Sequence, residues 1–195
     1  MMRFLSMGVA VLLLAGESAF AQEEVTNPLY PLKVGSKWTY KVPGGQVEVI
    51  CTKKEKIGDV ETYRLETQSQ GKVSASENVF VTDKGVFRAA VNGLKPESPI
   101  MFLNNPATKG SNWPVKTKVQ GQDVEGTFTV KEEDVTVPKG KFTGATLIDG
   151  SSFKIASLDT SVKAWFVKDI GIVKLEFKLG GQDAVYELEN YEPGK

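Results

Sequence analysis

Apolar and polar side chains alternate with a period of two through most of the chain. In residues 173–179, valine, leucine and phenylalanine alternate with lysine and glutamate, which is typical of a strand with one buried and one solvated face. The same alternation recurs in residues 47–52, 63–66 and 124–130. Beyond residue 21, no stretch of ten or more residues has the apolar spacing of three and four that an amphipathic helix requires. The pattern therefore predicts an all-β protein.

Glycine-containing turn sequences separate these alternating segments. Examples are residues 43–45, 58–59, 84–85 and 180–181, which suit tight turns that need a positive φ. We count about eleven candidate strands, more than an open twisted sheet usually carries without curling. We therefore predict one strongly curved antiparallel meander sheet, a half-barrel or a barrel. A β-sandwich is the alternative, and residues 22–195 are expected to form a single domain.

One segment, residues 94–115, interrupts the regular spacing of strands. It contains four prolines and an apolar run at residues 100–103. Proline removes a ladder donor, so this stretch is a poor central strand and is expected to be a long loop across one end of the sheet. Its apolar run would either plug the core or form the lip of a cavity.

The first 21 residues have the three parts of an export signal. A positively charged start at Arg3 is followed by the apolar stretch 4–15 and by the small-x-small cleavage pattern at residues 19–21, so cleavage before Gln22 is expected. The apolar run is shorter than the ~20 residues of a spanning helix, and no later run is longer, which predicts no membrane span in residues 22–195. A lipid anchor would need a cysteine at the cleavage point, and Cys51 is far from it. A periplasmic or secreted protein without a lipid anchor is therefore predicted.

Composition excludes several kinds of chemistry. The chain has no histidine and one cysteine, so it contains no Ser/His or Cys/His nucleophile system and no zinc site of the usual type. Cys51 is in phase with Val47 and Val49, which predicts a buried small side chain rather than a reactive thiol. Lysine and arginine number 24, as do aspartate and glutamate, and this balance gives no support to nucleic-acid binding.

No motif in the chain assigns a catalytic residue, a metal ligand or a cofactor. A glycine-rich phosphate loop and a dinucleotide fingerprint are both missing from the sequence. The acidic run 132–134 would place its carboxylates on opposite faces of a strand, so a solvated surface is the favoured interpretation. We therefore expect a protein that is not an enzyme and binds no cofactor, with a hydrolase that uses two carboxylates as a remaining alternative.

Large side chains are the remaining candidates for a binding site. They are few, and each either packs in the core or lines a ligand pocket. In the apolar stretch 164–167, both faces of a strand should be covered, one by the core and the other by a pocket or a loop. The candidate pocket residues are Trp38, Tyr40, Met101, Phe102, Trp113 and Trp165.

Three segments carry a resemblance to known proteins. They are residues 30–40, with P-L-x-V-G-x-x-W-x-Y, residues 135–142, with V-P-x-G-x-F, and residues 165–174, with G-I-V-K. In this order they resemble a broad group of exported bacterial β-rich proteins of unknown function. Lys139 stands where the usual middle motif has a small residue. The resemblance implies an exported β-rich fold and supplies no active-site residue.

A more distant likeness, of architecture alone, is to the half-barrels that carry lipoproteins or lipids across the periplasm. Together with export, it predicts a non-enzymatic binding protein for an apolar ligand, a lipid or acyl chain, with residues 94–115 near the mouth. That hypothesis requires an apolar cavity of at least ~300 Å³. The alternative is a structural or protein-interaction module of the envelope, with a packed core and an exposed apolar surface above ~400 Å².

Overall fold

The computed structural model describes residues 25–195, so the predicted export signal and its cleavage site lie outside the described residues. Within that range the chain forms twelve strands and no helix, and no segment of it is a helix that could cross a membrane. The strands are β1 (Lys37–Val42), β2 (Gly45–Ile57), β3 (Val60–Ser69), β4 (Lys72–Thr82), β5 (Gly85–Val91), β6 (Ile100–Asn104), β7 (Asn112–Val119), β8 (Gln122–Val137), β9 (Gly140–Ile155), β10 (Leu158–Val167), β11 (Gly171–Leu179) and β12 (Gln182–Glu192).

The described strands form one antiparallel sheet that curls into a nearly closed barrel. Their order is β6-β5-β4-β3-β2-β1-β12-β11-β10-β9-β8-β7. All strands adjacent in sequence are therefore paired, apart from β6 and β7. In addition, the last strand, β12, pairs with the first, β1. The predicted all-β curved meander is confirmed, as one sheet rather than a sandwich, with twelve strands instead of about eleven.

The additional strand comes from the proline-containing segment 94–115. It was expected to be a loop, but it contributes β6 and the first half of β7, the two edge strands of the sheet. An edge strand is laddered on one side only, so it tolerates proline, and Pro114 lies within β7. Across the gap between the edges, the Glu97 N–H donates to the Lys118 carbonyl (2.9 Å) and the Ser98 N–H to the Thr117 hydroxyl (3.0 Å).

The barrel has two unlike ends. We call the end with the β3–β4, β7–β8 and β11–β12 turns the mouth, and the other the plugged end. Residues 25–36 cross the plugged end, where the Asp169 N–H donates to the Pro28 carbonyl at 2.8 Å. This segment inserts Tyr30, which is 5% exposed, between the rings of Phe102 and Phe166.

Two of the three segments that carry the resemblance, residues 30–40 and 165–174, meet at the plugged end. The indole N–H of Trp38 donates to the Ile170 carbonyl at 2.6 Å. Gly171 follows with a φ of 97°, and a Cβ there would lie 3.3 Å from Trp38 Nε1. A side chain at this position would be strained by the backbone and crowded by the indole. These residues therefore have a structural role in closing the barrel.

The β8–β9 hairpin is longer than its neighbours and folds back over the sheet. Each of its strands has 16 residues, and the Lys139 N–H at its tip donates to the Leu188 carbonyl of β12 at 2.9 Å. Trp165 lies beneath the hairpin, its indole N–H 3.3 Å from Glu133 Oε2 and Lys174 above its ring. The hairpin thus covers an apolar patch on the outer face of β10.

Candidate ligand-binding cavity

The barrel encloses a cavity of about 740 Å³ towards the mouth. Its wall includes Asn92 and Gln120, two turn residues with a φ of 50°, which places the opening at this end. Tyr30 lies in the wall at the opposite limit of the cavity and separates it from the plugged end. The volume is within the ~300–1,000 Å³ of small-molecule sites.

Most of the cavity wall is apolar. Inward-pointing side chains of β10, β11 and β12 form one side, as the period-two alternation requires. On β11, Leu175 and Phe177 face the cavity while Lys174 and Glu176 pair outside at 2.9 Å. The apolar wall residues of these and the adjoining strands are Val49, Val119, Val124, Ile155, Val162, Ile172, Leu175, Phe177, Leu179, Ala184 and Tyr186.

The connection between β5 and β6 forms part of the lip. Leu94, Pro96 and Ile100 line the cavity, and Val91 and Leu94 remain 41% and 40% exposed at its edge. Later in the segment 94–115, four side chains are buried in the core: Phe102, Leu103, Trp113 and Val115. The two roles considered for this segment, lip and core plug, are thus divided between its beginning and its later part.

Among residues 25–195, two charged side chains line the cavity, and these two side chains pair with each other. Arg88 of β5 donates its Nε–H to Oε2 of Glu77 of β4 at 2.7 Å. The Arg88 and Glu77 side chains are 33% and 27% exposed, although β5 and β4 lie within the sheet. They remain exposed because both side chains face the cavity. The Arg88 guanidinium also lies over the Phe102 ring, with Cζ 5.0 Å from its centroid. The hydrogen bond to Glu77 and the contact with Phe102 thus fix the position of the Arg88 guanidinium.

The charge on Arg88 is maintained despite its position. Burial opposes ionisation, but the charge of Glu77 and the hydrogen bond to it outweigh burial, so the pKa of the guanidinium lies above its usual value. The pair adds a positive and a negative charge to the cavity wall and leaves its net charge at zero. This is the arrangement that a buried charge requires.

Tyr30 lines the same cavity as the ion pair, and its hydroxyl is neutral. Burial, and next the charge of Glu77, raise the pKa of its phenol well above the ordinary value. Its ring meets Phe102 edge-on, with centroids 5.6 Å apart. Within the described part of the chain, its hydroxyl has no hydrogen-bond partner. Phe102 therefore supports both Tyr30 and Arg88 and brings them to the same place on the cavity wall.

Tyr40 also lines the cavity, but its hydroxyl is engaged. It donates to the Ile172 carbonyl of β11 at 2.8 Å. Burial, followed by the charge of Glu77, raises the pKa of this phenol as well. Its role at this site is to complete the wall rather than to offer a donor.

The six pocket candidates from the sequence occupy different places. Tyr40 is in the cavity wall. Phe102 is behind it, beneath Arg88 and Tyr30. Trp38 packs at the plugged end, and Trp165 is covered by the hairpin on the outer face. Met101 and Trp113 are at the gap between the edge strands, joined by a hydrogen bond from the indole to the Met101 carbonyl.

Sequence reasoning did not select Glu77, Arg88 or Tyr30 as site residues. Arg88 is the only charged residue of β5, whose sequence is GVFRAAV. A single charge in a short apolar strand is a signal of a functional or paired group, since isolated charges are rarely buried. Its partner on the neighbouring strand could not be identified without the register.

A second depression of about 730 Å³ lies on the other side of Tyr30. Residues 25–28, Lys54, Asp169 and residues 193–195 line it. Its wall is formed mainly by the two terminal segments rather than by inward faces of strands. Across residues 25–195, no cluster of three carboxylate or cysteine side chains is arranged to hold a metal ion.

Comparisons with known proteins show similarity of fold. No family model and no curated protein matches the chain. It is similar to the crystal structure of a provisionally named lipoprotein from Parabacteroides distasonis ATCC 8503, with a TM-score of 0.51, 12% identity, and coverage of 84% of this chain and 98% of that one. A provisionally named exported protein with a YmcC-like fold from Bacteroides fragilis NCTC 9343 has a TM-score of 0.45, 15% identity and the same coverage. At this identity the first likeness shows the fold alone.

Proposed function

We propose that the protein is a non-enzymatic binding protein that holds an apolar ligand, a lipid or acyl chain, inside its barrel. The observation that carries this proposal is the cavity of about 740 Å³, whose wall is mostly aliphatic and aromatic. Burying apolar surface of a ligand in such a site contributes roughly 25 cal/mol per Å² before the costs of binding. A site of this kind binds by shape and burial and needs no reactive side chain.

The lip supports entry of an apolar molecule from the mouth. Val91 and Leu94 are exposed where they border the opening, and Leu158 is 52% exposed in the nearby β9–β10 turn region. Exposed apolar side chains around a cavity are characteristic of ligand or membrane contact sites. They would receive the acyl chain before it enters the barrel.

Export to the periplasm or beyond is part of the same proposal. It rests on the signal pattern in residues 1–21, and the similar Parabacteroides protein is named as a lipoprotein. A carrier in that compartment would shield acyl chains from water between membranes. The chain is proposed to act without a lipid anchor, because no cysteine follows the cleavage pattern.

Native mass spectrometry tests ligand and export together. The protein is expressed with its own first 21 residues, purified from a bacterial envelope without detergent, and measured before and after organic extraction. A chain that begins at Gln22 and loses a discrete lipid-sized mass on extraction is the expected result. A chain without any such mass would favour the alternative, an envelope interaction module, and a chain that retains Met1 would contradict export.

A binding assay with a matched pair of variants tests the cavity itself. The fluorescent apolar probe N-phenyl-1-naphthylamine should bind the wild type, and Ala184→Trp should weaken binding by occupying part of the cavity, because Ala184 lies in its wall. Asp183→Trp is the control, since Asp183 is exposed on the same strand and pairs with Lys178 outside. Equal binding by both variants would contradict a site inside the barrel.

A further inference from the structure

The cluster of Glu77, Arg88 and Tyr30 offers more hydrogen-bond donors than the protein uses. A guanidinium has five N–H groups. Within residues 25–195, the guanidinium of Arg88 makes one hydrogen bond, which its Nε–H donates to Glu77. The terminal amino groups of Arg88 remain, and the hydroxyl of Tyr30, whose ring contacts the same Phe102 ring as Arg88, is likewise without a partner in that range. Both groups face the cavity, so a bound ligand that displaced water from them without offering an acceptor would leave them unpaired at a cost in free energy.

The charges of the cluster restrict the group that can complete it. Glu77 already neutralises Arg88 at 2.7 Å, so an anionic head group would bring a second negative charge into the cavity close to the first. A cationic head group would face the excess of donors. A plain hydrocarbon would displace water from these donors and offer no acceptor in return.

We propose that the cavity binds its ligand with the polar group inward, and that this group is an uncharged oxygen acceptor, such as the carbonyl of an acyl ester, hydrogen-bonded to the Arg88 terminal amino groups and the Tyr30 hydroxyl. This inference rests on the proposed function. The acyl chain then lies along the aliphatic wall of β10–β12 towards the lip at Leu94. The protein would thus select esterified acyl chains over free fatty acids.

The wild-type protein alone gives the first test. Dissociation constants are measured by displacement of N-phenyl-1-naphthylamine at pH 8 with methyl palmitate, hexadecane and palmitate. The ester can accept a hydrogen bond from a charged donor and one from a hydroxyl, whereas the hydrocarbon can accept neither. The ester should therefore bind about tenfold more tightly than the hydrocarbon. It should also bind more tightly than palmitate, which is ionised at this pH.

The outcomes separate this inference from the proposed function. Equal binding of ester and hydrocarbon would overturn the head-group assignment and leave the carrier function standing. Tighter binding of palmitate than of its ester would also overturn it, in favour of an acidic head group. If none of the three ligands displaces the probe, the proposed function itself fails.

Variants then assign the selectivity to the cluster. Tyr30→Phe keeps the ring between Phe102 and Phe166 and should weaken methyl palmitate about two- to tenfold, with hexadecane unchanged. Tyr191→Phe is the matched control, because that tyrosine stacks on Trp38 outside the cavity. If Tyr30→Phe does not fold, the double variant Glu77→Met/Arg88→Met should bind hexadecane and lose the preference for the ester. An unchanged ester preference in a folded variant would contradict the proposal.

Discussion

The indole N–H of Trp113 donates to the Met101 carbonyl oxygen at 2.9 Å, and this bond joins the two edge strands of the sheet. Trp113 is on β7 and Met101 on β6, at opposite ends of the strand order. No ladder connects these strands in the described residues. Side-chain contacts and the turn around Ser98 hold the two edges together, as backbone pairing does between the other strands. The barrel is therefore closed by a few specific contacts at its weakest place.

Trp113→Phe should open this gap locally. The variant retains an aromatic ring against Phe128 and leaves the Met101 carbonyl without its donor. We expect a loss of about 1–3 kcal/mol in the free energy of unfolding, measured by urea denaturation, and faster hydrogen exchange in β6 and β7 than in β11. Uniformly faster exchange across all strands would contradict a local role at the gap.

Gly150→Ala should destabilise the barrel interior next to the cavity. A Cβ at this position would lie 2.8 Å from Phe128 Cε1 and 2.9 Å from Phe153 Cε2. Both rings are buried and in contact, with centroids 4.6 Å apart, so they cannot move away freely. A loss of about 1–3 kcal/mol is expected. The double variant Gly150→Ala/Phe153→Leu should cost less than the sum of its parts, and strict additivity would show that the clash is absent.

Cys51 should be unreactive in the folded protein. It is fully buried, and burial raises the pKa of its thiol to about 11. At pH 8 roughly one thiol in a thousand is then the reactive thiolate. An aromatic disulfide reagent should label the protein only after unfolding in urea, with one thiol per chain. Rapid stoichiometric labelling of the native protein would contradict this burial.

Glu55 should contribute to acid sensitivity. The hydrogen bonds from Lys53, then Asn78 and Arg64, lower the pKa of its carboxyl to about 2 from an ordinary 4.5. Because the folded-state pKa is the lower one, the stabilisation is fully present above pH 4.5 and is lost as the pH falls to 2. The free energy of unfolding of Glu55→Gln should therefore depend less steeply on pH in this window. Parallel wild-type and variant curves would show that the carboxyl is not stabilised in the native state.

The strands of this protein are encoded locally, which is why they could be predicted. Alternation in residues 173–179 and a glycine turn at residues 180–181 determine a strand and its end through neighbours one or two positions apart. The burial of Cys51 follows from the same phase along β2. The prolines of residues 94–115 correctly excluded a central strand, but local preference alone could not show that the segment would form both edges.

The binding site required contacts between distant parts of the chain. Tyr30 enters from the N-terminal segment, whereas Glu77 and Arg88 belong to two strands whose register brings them to one wall. No periodicity places Tyr30 beside them, because its position depends on how residues 25–36 cross the plugged end. Alternation therefore specifies which side chains face inward, and only closure of the sheet determines which of those side chains meet and how much space remains between them.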